Sequence, residues 1–132
     1  MNMPQTQFIP SWFYTMPNYK AKALERIIRH NPQACRKNKI PQGYGQFGLD
    51  RTNPIPVYGD PEIEVYLSKL RLNNGSKINW KKEENISASN IKQPIQKYQI
   101  YKQSGNLITS LYFSPYHLLT SNKAPKGFKI KT

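Results

Sequence analysis

The chain has 132 residues, 37% of them hydrophobic, and its 20 lysines and arginines against seven acidic residues give a formal net charge of +13. That length suits one domain able to bury a core unaided, and a single cysteine, Cys35, excludes an internal disulfide framework. Eleven prolines and seven glycines argue against long uninterrupted helices, and no apolar run approaches the length needed to cross a bilayer.

The charge is unevenly placed. Residues 1–40 hold seven basic side chains against Glu25, residues 41–84 hold six of each sign, and residues 85–132 hold seven lysines and no acid. Both ends are therefore positive, which attracts phosphate-rich partners with a salt-dependent affinity. The opening "MNMPQTQFIPSWFYTMPNYK" lacks a basic segment followed by an apolar run, and the lone cysteine suits a reducing compartment. A cytoplasmic location is the expectation.

Residues 1–17 read as irregular, with Trp12, Phe13 and Tyr14 packing back onto the domain. The first helix is expected over residues 19–30 behind Asn18 as N-cap: Ala21, Leu24, Ile27 and Ile28 share one face, and Lys22, Arg26 and Arg29 another. Residues 36–61 read as a Pro/Gly-rich surface loop, because Pro41, Pro54, Pro56 and Pro61 lack backbone donors. Tyr44, Phe47, Leu49, Ile55, Val57 and Tyr58 are expected to pin it.

Inside that loop, "GYGQFG" at residues 43–48 has the glycine spacing of a dinucleotide-binding turn. Such a turn needs a strand before it and a helix after it, so that helix amides receive the phosphates. Here "RKNKIPQ" precedes it, too polar for a central strand, and Pro54 and Pro56 forbid the helix. The match is read as accidental, and no cofactor is expected.

The remainder reads as strands. "VYLSKLRL" is taken as one, although Leu67 and Leu70, three apart, fit a helical turn equally well. "NNG" then leads into "SKINWKK", and "NISASN" reads as a link. "PIQKYQIYK" and "LITSLYFS" flank "QSGN" as the clearest hairpin, and "GFKIK" adds an edge strand. The expected fold is α+β: one domain over residues 1–132, with one N-terminal helix packed on an antiparallel sheet of four or five strands.

Catalytic groups are sparse. Asp60, Glu62 and Glu64 form one acidic cluster without the calcium-loop pattern. His117 follows an apolar strand with no nucleophile motif, His30 caps a helix end, and Cys35 near Arg36 and Lys37 fits the edge of a core. Neither a metal site nor an enzyme is expected. Basic residues interleaved with aromatics suggest another chemistry, since such pairs on an open sheet stack bases while holding phosphates. The candidate anion or nucleic-acid contacts are Lys22, Arg26, Arg29, Arg36, Lys37, Lys97, Tyr98, Tyr101 and Lys102.

The run "IPQGYGQFGLDRTNPIPVYG", the following "YLSKLR" and the closing "TSNKAPKGFKI" resemble a family of small uncharacterised bacterial proteins, with an NPIPV-type core motif and an APxGF-type end. "IPSWFYTMPNY" near the start is similar too, and Lys126 stands where that family's pattern has an acid. The resemblance implies one domain with the proline-rich loop as part of the fold; it implies no catalytic or binding residue. The resulting expectation is a non-catalytic interaction module for a protein or acidic partner, with no membrane association. The alternative is a nucleic-acid binder using basic termini and sheet tyrosines.

Overall fold

The structure, a computed structural model, describes residues 38–131. Along them run β1 (Ile55–Pro56), α1 (Pro61–Lys69), β2 (Leu70–Leu72), β3 (Ile78–Ala88), β4 (Ile91–Lys102), β5 (Leu107–Ser114) and β6 (Phe128–Ile130). They form a four-stranded sheet ordered β1-β5-β4-β3 and a two-stranded sheet of β2 and β6. Every pairing is antiparallel except that of β1 on β5.

This corrects the expected α+β arrangement. The described part is mostly β, and its helix lies in the middle of the chain, not at the N-terminal end. The helix expected over residues 19–30 lies outside the described residues, as do Trp12, Phe13, Tyr14, His30 and Cys35. Helix α1 occupies most of a segment read as loop and strand, for identifiable reasons. Pro61 sits in its first turn with Glu62 and Glu64, and Lys69 in its last, each placed to suit the helix dipole. Ile63, Tyr66 and Leu67 are buried at helical spacing. The helix stops where Leu70 turns extended (φ −79°, ψ 138°), so the chain enters β2 without a loop. The strand reading of "VYLSKLRL" is therefore corrected over residues 65–69, which are helical, and holds only for Leu70–Leu72.

The β4–β5 hairpin is as expected, closed by Lys102 N–H donating to Asn106 O at 2.8 Å. The turn between β2 and β3 is also present, with Leu72 N–H on Ser76 O at 2.9 Å. "NISASN" is not a link. β3 continues to Ala88 past a bulge between Lys82 and Asn85, leaving Ser89 and Asn90 as the turn into β4. Ile86 explains the extension, because it packs with Ile95, Ile91 and Ile40 in a small second core.

The main core surrounds Phe113, which Tyr66 and Tyr98 meet edge-on, each with ring centroids 5.6 Å away. Ile55 and Val57 are fully buried in the same cluster, with Pro54 and Pro56 enclosed beside them. The Pro/Gly-rich segment is thus a structural layer as well as a surface loop: Ile55 pairs with Phe113, and Val57 N–H reaches Ser114 O at 3.0 Å. Phe47 joins that core, whereas Tyr44 is 57% exposed and does not pin the segment by burial. Among the described residues, no helix is long and apolar enough to cross a membrane.

A candidate anion-binding face

Successive side chains of a strand point to opposite faces. In β2, Leu70 and Leu72 turn inward to the core cluster, and in β6 Phe128 and Ile130 do the same. Arg71 and Lys129 must then point outward, and they are direct cross-strand partners. On its other side Arg71 is bridged antiparallel to Lys77. Lys129, Arg71 and Lys77 therefore form one row of three cations across β6, β2 and the residue that leads into β3. With Lys131, Ile130 and Gly75 they line an open groove of about 540 Å³, and none of the described residues in its wall is acidic.

The row is held from beneath. Arg71 Nη1 donates to Ser68 O at 2.8 Å and to Leu70 O at 3.0 Å, the carbonyls at the end of α1. Lys131 N–H donates to Lys69 O at 2.8 Å, which fixes the C-terminal strand against the helix. Like charges directly opposite each other destabilise a sheet; the carbonyls at the end of α1 offset part of that cost for Arg71, and Lys129 and Lys77 flank it.

The outward face continues past the groove. Asn79 and Lys81 share one side of β3 with Lys77, the residue just before the strand, and stand opposite Tyr101 and Gln99 on β4. Gln99 in turn faces Ser110, and Lys97 faces Tyr112, on β5. Asn79 and Lys81 are exposed, while Lys97, Gln99, Tyr101, Ser110 and Tyr112 are half-buried. The Tyr101 hydroxyl donates to Gln99 Oε1 at 2.7 Å, which fixes the ring on the surface. At the far end the face closes where Ile40 packs on Ile95, and Glu83 and Glu84 occupy the bulge opposite Lys97.

Of the residues anticipated as anion contacts, Lys97 and Tyr101 lie on this face. Tyr98 does not: it points to the other side, 6% exposed, against Phe113. Lys102 is exposed beside the β4–β5 turn and pairs with Ile78, on the side opposite Tyr101. Lys22, Arg26, Arg29, Arg36 and Lys37 lie outside the described residues. The residues that sequence reasoning missed are Arg71, Lys77, Lys81, Lys129 and Lys131. "LRL" and "FKIK" carried the signal, since each alternates an apolar residue with a cation.

Among the described residues, Ser114, His117 and the three acids of the Asp60–Glu64 cluster each hold a hydrogen-bond partner. Ser114 Oγ lies 3.1 Å from His117 Nε2, but the two residues are only 3% and 8% exposed. Asp60 accepts from Gln96 Nε2 at 2.7 Å, Glu62 from Thr120 Oγ1 at 3.3 Å, and Glu64 from Trp80 Nε1 at 3.5 Å. Burial, with the nearby Glu64 and Asp60 charges, raises the Tyr98 pKa, as expected for a phenol turned inward toward carboxylates. Among the described residues, no three His, Cys, Asp or Glu side chains gather where a metal ion could be held.

The "GYGQFG" segment is a closed knot. Gly43 N–H donates to Ile40 O, Tyr44 N–H to Thr52 O and Gly48 N–H to Asn53 O at 2.7–3.2 Å, and Gln46 N–H goes to the Asp50 carboxylate at 2.7 Å. These amides point into the segment's own turns, and turns, not a helix, follow. A phosphate would find those donors already occupied. No family model, curated protein or solved structure matches the chain.

Proposed function

We propose that the protein is a non-catalytic binding module that holds an anionic partner on the outward face of its sheet. The observation that carries this reading is the row Lys129–Arg71–Lys77, three directly aligned cations over an open groove in which no described lining residue is acidic. An arrangement that costs stability in the free protein is relieved when a polyanion neutralises it. The overall charge of +13 adds long-range attraction, drawing such a partner in from solution. The enclosure of Ser114 and His117, and the engagement of the three acids by three separate partners, support binding over turnover.

Inorganic polyphosphate tests the reading, because it offers charge and nothing else. Its binding to the full chain should weaken linearly in log affinity with log salt. The double variant Arg71→Gln/Lys129→Gln should bind more weakly and show a shallower slope. Equal slopes for the two proteins would place the contact elsewhere, and no binding at low salt would overturn the reading.

A further inference from the structure

We infer that the anionic partner is single-stranded nucleic acid, its phosphates held by Lys129, Arg71 and Lys77 and a base stacked on Tyr101. This rests on the binding reading above and names its ligand. The argument starts from what lies beside the cations. Neighbouring strands are about 4.8 Å apart, so the row spans roughly 10 Å across the groove. One step along β3 on the same side, Asn79 stands opposite Tyr101, whose ring is fixed by its bond to Gln99. A phenol ring anchored at the surface beside a line of cations is the combination that single strands use: charge tracks the backbone and the π-face receives a base.

The surroundings of Tyr101 add to this. Asn79, Gln99 and Ser110 bring amide and hydroxyl groups to the same face, suited to the edges of an unstacked base. Leu107, the cross-strand partner of Tyr101, is 57% exposed and widens the apolar platform. A duplex keeps its bases stacked inside and offers the ring nothing. The acidic side chains of a peptide would satisfy the cations but bring no aromatic face to the phenol, whereas every nucleotide brings one. Tyr112 beside Lys97 repeats the aromatic–cation pairing further along the face, where Glu83 and Glu84 limit how far a backbone follows.

The test uses the full chain and three labelled probes at matched salt: an oligothymidylate of roughly a dozen nucleotides, a duplex of the same length, and inorganic polyphosphate. The single strand should bind most tightly. Tyr101→Ala should weaken it roughly five- to a hundred-fold, the range for losing one stacked base, while leaving polyphosphate binding unchanged. Tyr101→Phe, which keeps the π-face and loses only the bond to Gln99, should weaken single-strand binding far less than Tyr101→Ala does. Tyr101→Leu, which keeps apolar bulk without a π-face, should behave like the alanine variant and guards against a folding artefact. Arg71→Gln should weaken all three probes. A single strand that binds no better than polyphosphate, a duplex that binds best, or an unchanged affinity in Tyr101→Ala and Tyr101→Leu would overturn this inference. In each of those cases, polyphosphate binding that is lost in the Arg71 variant keeps the broader anion reading. If none of the three probes binds, both fail.

Discussion

Arg71 and Lys129 stand directly opposite each other on β2 and β6, and Lys77 closes on Arg71 from its other side. The sheet would hold better with an acid at one of these places. Lys129→Glu should therefore stabilise the fold by about 0.5–1 kcal/mol, the scale of an opposite-charge cross-strand pair. The same change should abolish polyanion binding. A urea titration of both proteins reads the first effect and a binding titration the second. A gain in stability with a loss of binding is the signature of a site maintained against the preference of the sheet.

The Tyr66 hydroxyl donates to Lys123 O at 2.6 Å from an almost fully buried ring. Burial pushes its phenol well above the ordinary value of 10.0, and burial raises Tyr58 and Tyr98 as well. A raised folded pKa means that the native state keeps protons which the unfolded chain releases. The contribution of these tyrosines to stability should be constant below about pH 10 and fall as pH rises from there toward the raised folded values. Tyr66→Phe should cost about 1 kcal/mol at neutral pH, by leaving Lys123 O without this donor, and should flatten the alkaline decline. Chemical denaturation at several pH values checks both.

Gly48 has φ +74°, and a Cβ there would lie 2.9 Å from Ile55 Cδ1 and Pro125 Cγ. Gly48→Ala should destabilise by about 2–4 kcal/mol, combining left-handed backbone strain with overpacking. Gly105 in the β4–β5 turn is the control, with φ +100° and nothing within 4 Å of a Cβ. Its alanine variant should cost only the backbone part, about 1–2 kcal/mol. Thermal unfolding of the two variants should separate them clearly.

Asn90 ties the β3–β4 turn to the Pro/Gly-rich segment, its Nδ2 donating to Thr52 O at 2.7 Å and Gln42 O at 3.1 Å. Asn90→Ala should cost about 1–2 kcal/mol, because it removes this donor from Gln42 O and leaves Thr52 O with only the Tyr44 N–H. The loss should be local. Amide exchange should accelerate over residues 42–53 and stay slow in β4 and β5.

The legible parts of the fold were those written in local signals. The β4–β5 hairpin announces itself through a four-residue polar turn between two apolar runs, and it forms as read. Helix α1 was obscured because its segment abuts a strand with no break; including Ile63 with Tyr66 and Leu67 exposes the helical period. β1 carried no signal at all. It is two residues long, proline-bearing, and takes its meaning from Phe113, far along the chain. For the site, period two alone settles one point. Tyr98 and Tyr101 are three apart on β4, so one of them had to face the core. The meeting of "LRL" with "FKIK" was beyond local reading, because it depends on the C-terminal strand returning to the end of α1.

The position of β1 also governs how this sheet ends. On its outer side, Pro56 O accepts from Ser121 N–H at 2.9 Å and Val57 O from His117 N–H at 3.2 Å, so its carbonyls are already spoken for. Pro54 and Pro56 have no amide to offer. A strand from a second molecule would find neither donors nor acceptors on that flank. Edge-to-edge polymerisation is thereby refused at β1, and the opposite edge of the sheet, β3, is interrupted by its bulge between Lys82 and Asn85, which spoils a straight template for a second copy.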